Sequence, residues 1–178
     1  INDLCPFYRP GETIILAART SMGKSWLALF WAHYLTSQQQ VSTLFVSKEM
    51  PVEIIEDRET AIYHKLSYPQ FRAGKLSLAQ LKQWRQKAKE PRLQKLVLMG
   101  DNSLAGEGFA PIVQRAQTLS PEVIVIDGAY MLQPEGMPPK TDPWGRLSII
   151  SNRCKRLATH LGVVLVIILQ MNRKAESR

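Results

Sequence analysis

The stretch Ala18-Arg-Thr-Ser-Met-Gly-Lys-Ser25 lies between an apolar run, Thr13 to Ala17, and a strongly apolar segment from Trp26 to Leu35. This order of properties reads as strand, loop, helix. A loop that cradles phosphate needs backbone N–H groups turned into one concavity, a helix N-terminus behind it, a lysine for the outer phosphates and a hydroxyl for Mg²⁺. Gly23, Lys24 and Ser25 supply the close-packed backbone, the charge and the hydroxyl, and Ala18, Arg19, Thr20, Ser21 and Met22 complete the loop. The usual spelling, G-x-x-x-x-G-K-[ST], begins with glycine where this chain has Ala18, a difference of one methyl group. Gly-Lys-Ser alone is ordinary loop chemistry. The β-branched strand before it and the helix after it are the context that a nucleotide-binding loop demands.

Upstream, Arg9-Pro-Gly-Glu12 forms a turn that feeds the first strand. Downstream, Lys24 to about Thr36 is apolar nearly all round, with Trp26, Leu27, Leu29, Phe30, Trp31 and Leu35, and is expected to be a helix buried beside a sheet. Val41 to Val46 is a short β-rich run ending at Ser47-Lys-Glu-Met50, which sets Glu49 at a strand's carboxyl end. Open α/β sheets bind ligands at that edge, so Glu49 could meet a nucleotide's terminal phosphate; by position alone it could equally be a solvated acid beside Lys48. Pro51 fits the first turn of a second helix, with Val52, Ile55, Ile62 and Leu66 on one side and Glu53, Glu56, Asp57 and Arg58 on a wet one. Ser67 to Leu76 reads as a connector. Ser77 caps a helix carrying Leu78, Leu81, Trp84 and Ala88 at helical spacing; Lys82, Arg85, Lys87 and Lys89 share it, and a basic face with a Trp could bind nucleic acid, but the Trp lies on the apolar stripe, which favours core packing and a solvated face. Leu96 to Met99 is the third strand, a Gly-rich loop runs to Gly108, and Pro111 opens a helix bearing Ile112, Val113, Ala116 and Leu119.

Val123-Ile-Val-Ile-Asp127 is the second chemical landmark. Continuous apolarity means a strand covered on both faces, as in a parallel sheet. A carboxylate ending such a strand is placed to hold Mg²⁺ through water, the partner role that a phosphate loop requires. Gln133 to Pro143 holds four prolines and reads as a mobile loop on the same edge. Asp142 then caps a helix with Pro143 in its first turn and a stripe of Leu147, Ile150, Cys154, Leu157 and Leu161, stopped by Gly162. The last strand, Val163 to Leu169, ends in Gln170-Met-Asn-Arg173, and Gln170 is a neutral group able to sense a γ-phosphate.

The chain has 178 residues, 45% of them hydrophobic, enough for one sizeable core, so a single domain over 1–178 is expected. A net charge of +8 favours a polyanionic partner without identifying it. Two cysteines are too few for a disulfide framework or zinc cluster, and no segment suggests a membrane span or signal peptide, so a cytoplasmic protein is expected. The chain begins at Ile1 without an initiator Met and stops at Arg178 in a polar stretch, which suggests a piece of a longer protein.

Taken in order, Arg9-Pro-Gly-Glu12, Ala17 to Ser25, Ser47-Lys-Glu-Met-Pro51 with Arg58 after it, Arg72-Ala-Gly-Lys-Leu-Ser77, Val123 to Asp127 and Gln170-Met-Asn-Arg173 resemble the motor domain of DnaB-type replicative helicases over nearly the whole chain. That family shares the replacement of the loop's first glycine. The resemblance implies an α/β fold with a RecA-like P-loop NTPase core, a mostly parallel central sheet and helices on both faces. It also implies a homo-oligomeric ring of six subunits around single-stranded DNA, ATP or another NTP with Mg²⁺ hydrolysed between neighbours, and a primase or loader as a further partner. Carried over, Lys24 and Ser25 would hold the β/γ-phosphates and Mg²⁺, Asp127 the metal's water shell, Glu49 the attacking water and Gln170 the γ-phosphate. Lys140, Arg173, Lys174 and Arg178 are the candidate DNA contacts. The family's pattern after the metal-binding Asp is usually Tyr-Leu-Gln-Leu, whereas this chain has Gly128-Ala-Tyr-Met-Leu132. The competing readings are another RecA-like ATPase, a recombinase or regulatory ring, and a non-motor helicase loader or partner module that uses ATP as an assembly ligand.

Overall fold

The computed structural model describes residues 9–87, 95–100, 108–138 and 140–171. Its elements follow in the order β1 (Thr13–Ala18), α1 (Lys24–Gln39), β2 (Thr43–Ser47), α2 (Val52–Tyr63), α3 (Tyr68–Arg72), α4 (Leu78–Lys87), β3 (Leu96–Met99), α5 (Ala110–Leu119), β4 (Val123–Asp127), α6 (Pro143–Leu161) and β5 (Val164–Gln170). The strands form one sheet in the order β1-β5-β4-β2-β3, and every neighbouring pair is parallel. The run Val123 to Asp127 is buried along its whole length because β4 has strands on both sides and helices on both faces.

Alternate residues of the strands feed two cores. Phe45, Val123, Val125, Val166 and Ile168 pack on one face with Ala28, Leu29 and Ala32 of α1 and Ile55 of α2. Leu44, Val46, Ile124, Ile126, Leu165 and Ile167 pack on the other with Ile112 of α5 and Ile150, Cys154 and Leu157 of α6. The division follows from topology. The chain crosses the sheet outward from β1 to β3 and then returns through β4 and β5, and right-handed crossovers put helices on opposite faces when the direction of travel reverses. Burial pushes the Cys154 thiol up to about 12, so it is an inert core group, in keeping with a reduced cysteine.

Three expectations are corrected. Helix α1 buries Ala28, Leu29, Ala32 and Thr36, but Leu27 (47% exposed), Phe30 (53%) and Tyr34 (42%) face outward. A helix in an outer layer has only one side to bury, however apolar its sequence. The connector after Ser67 contains α3, with Pro69 in its first turn where no N–H is needed. The polar side of α2 is not simply wet. Asp57 accepts a 2.6 Å hydrogen bond from Arg72, and the Arg58 guanidinium lies 5.0 Å from the Trp26 ring centroid and 5.8 Å from that of Tyr68.

The helix caps are local and fall where the sequence puts them. Asp142 Oδ1 accepts from the backbone N–H groups of Trp144 and Gly145 at 3.0 Å each, and Gly162 ends α6 at φ +65°. Ser77 and Gln80 exchange hydrogen bonds in a capping box, although Leu78 is 78% exposed and its stripe effectively starts at Leu81. Ala88 lies outside the described residues. The proline-containing loop after Leu132 is fastened to α6: Arg146 donates to the Leu132 carbonyl at 3.1 Å, and Arg153 to the Glu135 carboxylate at 2.8 Å.

Candidate functional site

In a parallel sheet all carboxyl ends share one edge, and the register decides which ends stand side by side. Ala18 pairs with Gln170, Asp127 with Ile168, and Ser47 with Asp127. The phosphate-type loop, Gln170, Asp127 and Glu49 therefore converge from β1, β5, β4 and the turn after β2.

The loop backbone is built by two residues in the left-handed region, Ser21 at φ +64° and Gly23 at φ +79°. Gly23 is the N-cap of α1, and no side chain caps that terminus, so its first N–H groups are presented to an incoming anion. Lys24 Nζ donates to the Arg19 carbonyl at 3.1 Å, folding the lysine over its own loop. Thr20 Oγ1 lies 2.8 Å from the Gln170 side-chain amide, and Met171 N donates to the Ala18 carbonyl, so the ends of β1 and β5 are tied by backbone and side chain together.

Asp127 is fully buried, and neither of its carboxylate oxygens has a hydrogen-bond partner within bonding distance. Burial raises its pKa above the ordinary carboxylate range, and Glu49 adds to the rise; the Ser25 hydroxyl, Arg58 and Lys24 oppose it. Two buried carboxylate oxygens without partners, beside a hydroxyl and at the end of a strand, suit a hydrated divalent cation that would supply the missing donors and charge. No group of three or more His, Cys, Asp or Glu side chains that could hold a metal by itself is found among the described residues.

The turn after β2 is organised by Ser47, whose Oγ accepts from the N–H groups of Glu49 (3.3 Å) and Met50 (3.0 Å), while Lys48 N donates to the Asp127 carbonyl at 2.8 Å. This clamp fixes the backbone of Glu49 against the end of β4. The Glu49 side chain is exposed and accepts a 2.6 Å hydrogen bond from the Tyr130 hydroxyl. Tyr130 sits in a single 3-10 turn, Ala129–Met131, that begins at Gly128 with φ +80°.

Of the residues singled out from the sequence, those of the loop, Glu49, Asp127 and Gln170 come to one edge. Lys140 is exposed in the loop before α6, and Arg173, Lys174 and Arg178 lie outside the described residues. Sequence reasoning missed Tyr130, Gly128 and the clamp at Ser47. The one available signal for the first two was the departure from the family's Tyr-Leu-Gln-Leu pattern. A concavity along α6 beside Phe109, lined by Arg153, Arg156 and His160 among others, includes none of the site residues. No helix among the described residues is long and apolar enough to cross a membrane.

The sequence profile of the DnaB-like helicase C terminal domain family matches residues 2–178. Over 177 residues the chain is 24% identical to the replicative DNA helicase DnaB of Treponema pallidum (strain Nichols), a match that covers 99% of this chain and 40% of that relative. One solved structure, an ATPase domain, superposes with a TM-score of 0.81 at 22% identity, covering 96% of this chain and 61% of that one. A DnaB-like replicative helicase, solved with attention to its interactions with primase, superposes with a TM-score of 0.82 at 21% identity over 96% of this chain and 41% of that one. The chain thus spans less than two thirds of each of these relatives. The structural likeness bears out the expected RecA-like α/β fold with its parallel sheet.

Proposed function

Because the chain belongs to the DnaB-like helicase C terminal domain family, we propose that it is the ATP-driven motor part of a replicative DNA helicase. It would bind and hydrolyse nucleotide between neighbouring subunits to move along single-stranded DNA and separate a duplex. The observation that carries this reading is the convergence of Lys24, Ser25, Glu49, Asp127 and Gln170 on one sheet edge.

On this reading the α1 N-terminus and loop N–H groups bind the phosphates, and Lys24 Nζ leaves the Arg19 carbonyl for oxygens of the β- and γ-phosphates. Mg²⁺, held by the Ser25 hydroxyl and through water by Asp127, would neutralise charge on the phosphate oxygens. Glu49 orients a water for in-line attack on the γ-phosphorus and takes up its proton; the bond from that phosphorus to the bridging oxygen breaks, and ADP leaves with the electron pair. Gln170 reads the presence of the γ-phosphate. A ring of six subunits and a primase or loader as partner complete the proposal, and Lys140, Arg173, Lys174 and Arg178 are its candidate DNA contacts.

Mg²⁺-dependent ATP hydrolysis by the full-length protein, with and without single-stranded DNA, tests it. Stimulation by DNA is expected in the parent and its loss in Lys24→Ala, with Glu49→Ala binding ATP but hydrolysing it at least about a hundredfold more slowly. A Glu49→Ala protein as fast as the parent would sink the assignment.

A further inference from the structure

Tyr130 joins the two polar groups to which the proposed reaction gives separate tasks. Its hydroxyl is 2.6 Å from Glu49 Oε1 and 3.1 Å from the side-chain oxygen of Gln170, whose amide nitrogen is 2.8 Å from Thr20 Oγ1. A phenol has one proton and cannot donate to two acceptors. The shorter contact, to a carboxylate, has the length of a charge-assisted O–H···O⁻ bond and takes the proton. Burial and the Glu49 and Asp127 charges raise the Tyr130 pKa, so the phenol stays a donor. A half-turn of the Gln170 amide, whose two ends occupy the same volume, then satisfies every group. Thr20 donates to the Gln170 oxygen, the Gln170 NH₂ donates to the Tyr130 oxygen, and Tyr130 donates to Glu49.

Gly128 makes room for this chain of bonds. A Cβ built there would stand 2.8 Å from Glu49 Cγ, and φ +80° disfavours any L side chain as well. Glu49 therefore lies over a position that only glycine leaves open, within reach of a phenol two residues further on.

We propose that Tyr130 is a positioning residue that holds Glu49 and couples it, through Gln170 and Thr20, to the phosphate loop, so that movement at the γ-phosphate is transmitted to the group that orients water. This rests on the function proposed above. Removing one hydroxyl with Tyr130→Phe in the full-length protein is expected to lower kcat for ATP about tenfold while KM for ATP stays within about twofold and the melting midpoint is unchanged. Gln170→Ala and the double variant Tyr130→Phe/Gln170→Ala complete a cycle, in which the double variant should be no slower than the slower single one. Gly128→Ala, with Tyr130 intact, is expected to lower kcat by at least as much by displacing Glu49. A parental kcat in Tyr130→Phe beside an inactive Glu49→Ala overturns the coupling and leaves the helicase reading intact, as do multiplicative effects in the cycle. Equal loss in kcat/KM through KM alone also overturns it. A fully active Glu49→Ala removes both proposals.

Discussion

Asp127 is costly to the empty fold and, on the proposed function, needed by the loaded one. Its carboxylate is buried without a hydrogen-bond partner, and its pKa is raised chiefly by burial. An acid with a raised folded pKa contributes stability that is complete below its unfolded value and lost as pH rises through its folded value, so burying this carboxyl makes the nucleotide-free protein less stable as pH rises out of the acid range. Asp127→Asn is therefore expected to raise the melting midpoint near pH 7, where each 1 kcal/mol moves it by roughly 2–4 °C in a chain of this size. The difference should shrink below the ordinary carboxylate range. On the proposed role of Asp127 the order should reverse with Mg²⁺ and ATP present, because the parent would bind them more tightly than the variant. Thermal melts at two pH values with and without Mg²⁺-ATP check both signs. The acid itself was visible in the sequence as the end of an apolar run. Its partnerless burial was not, since that depends on which strands and helices surround it.

Among the elements, α2 shows most clearly what periodicity leaves out. The spacing of Val52, Ile55 and Ile62 gives its apolar side, yet Arg58, assigned to water on sequence grounds, lies against both Trp26 of α1 and Tyr68 of α3, whose rings meet edge to face at 4.9 Å. Planar guanidinium stacks on aromatic faces, and the compact ammonium of lysine does not reproduce that contact. Arg58→Lys should cost about 1 kcal/mol, read as a lower urea midpoint at unchanged slope. The same contact involves α3, a five-residue helix that Arg72 secures to Asp57. Helix α6 is the opposite case. Asp142, Pro143 and Gly162 mark its ends by local chemistry alone, and Asp142→Ala is expected to cost about 1 kcal/mol in the same denaturation experiment.

For the whole molecule, the net charge of +8 and the exposure of Lys140 bear on the proposed grip on DNA. Affinity of the full-length protein for single-stranded DNA should fall steeply with salt. Lys140→Ala should make the slope of log affinity against log salt shallower by about 0.7 if that lysine neutralises one phosphate. Fluorescence anisotropy at several salt concentrations measures it, and an unchanged slope would remove Lys140 from the contact set.

By itself the sequence determined the local alphabet of this protein: continuous apolar runs for parallel strands, a glycine-lysine-serine loop opening a helix, single acids at two strand ends, and helix caps at Ser77, Asp142 and Gly162. Each depends on neighbours a few residues away, which is the range over which periodicity and backbone preference act. Only the tertiary structure decided that the ends of β1, β5, β4 and β2 stand in that order, that Tyr130 reaches both Glu49 and Gln170 across 81 and 40 residues of chain, and that α1 leaves Leu27, Phe30 and Tyr34 uncovered. Strand order and register are long-range pairings set by burial of the whole sheet, and no local pattern encodes which end will lie beside which.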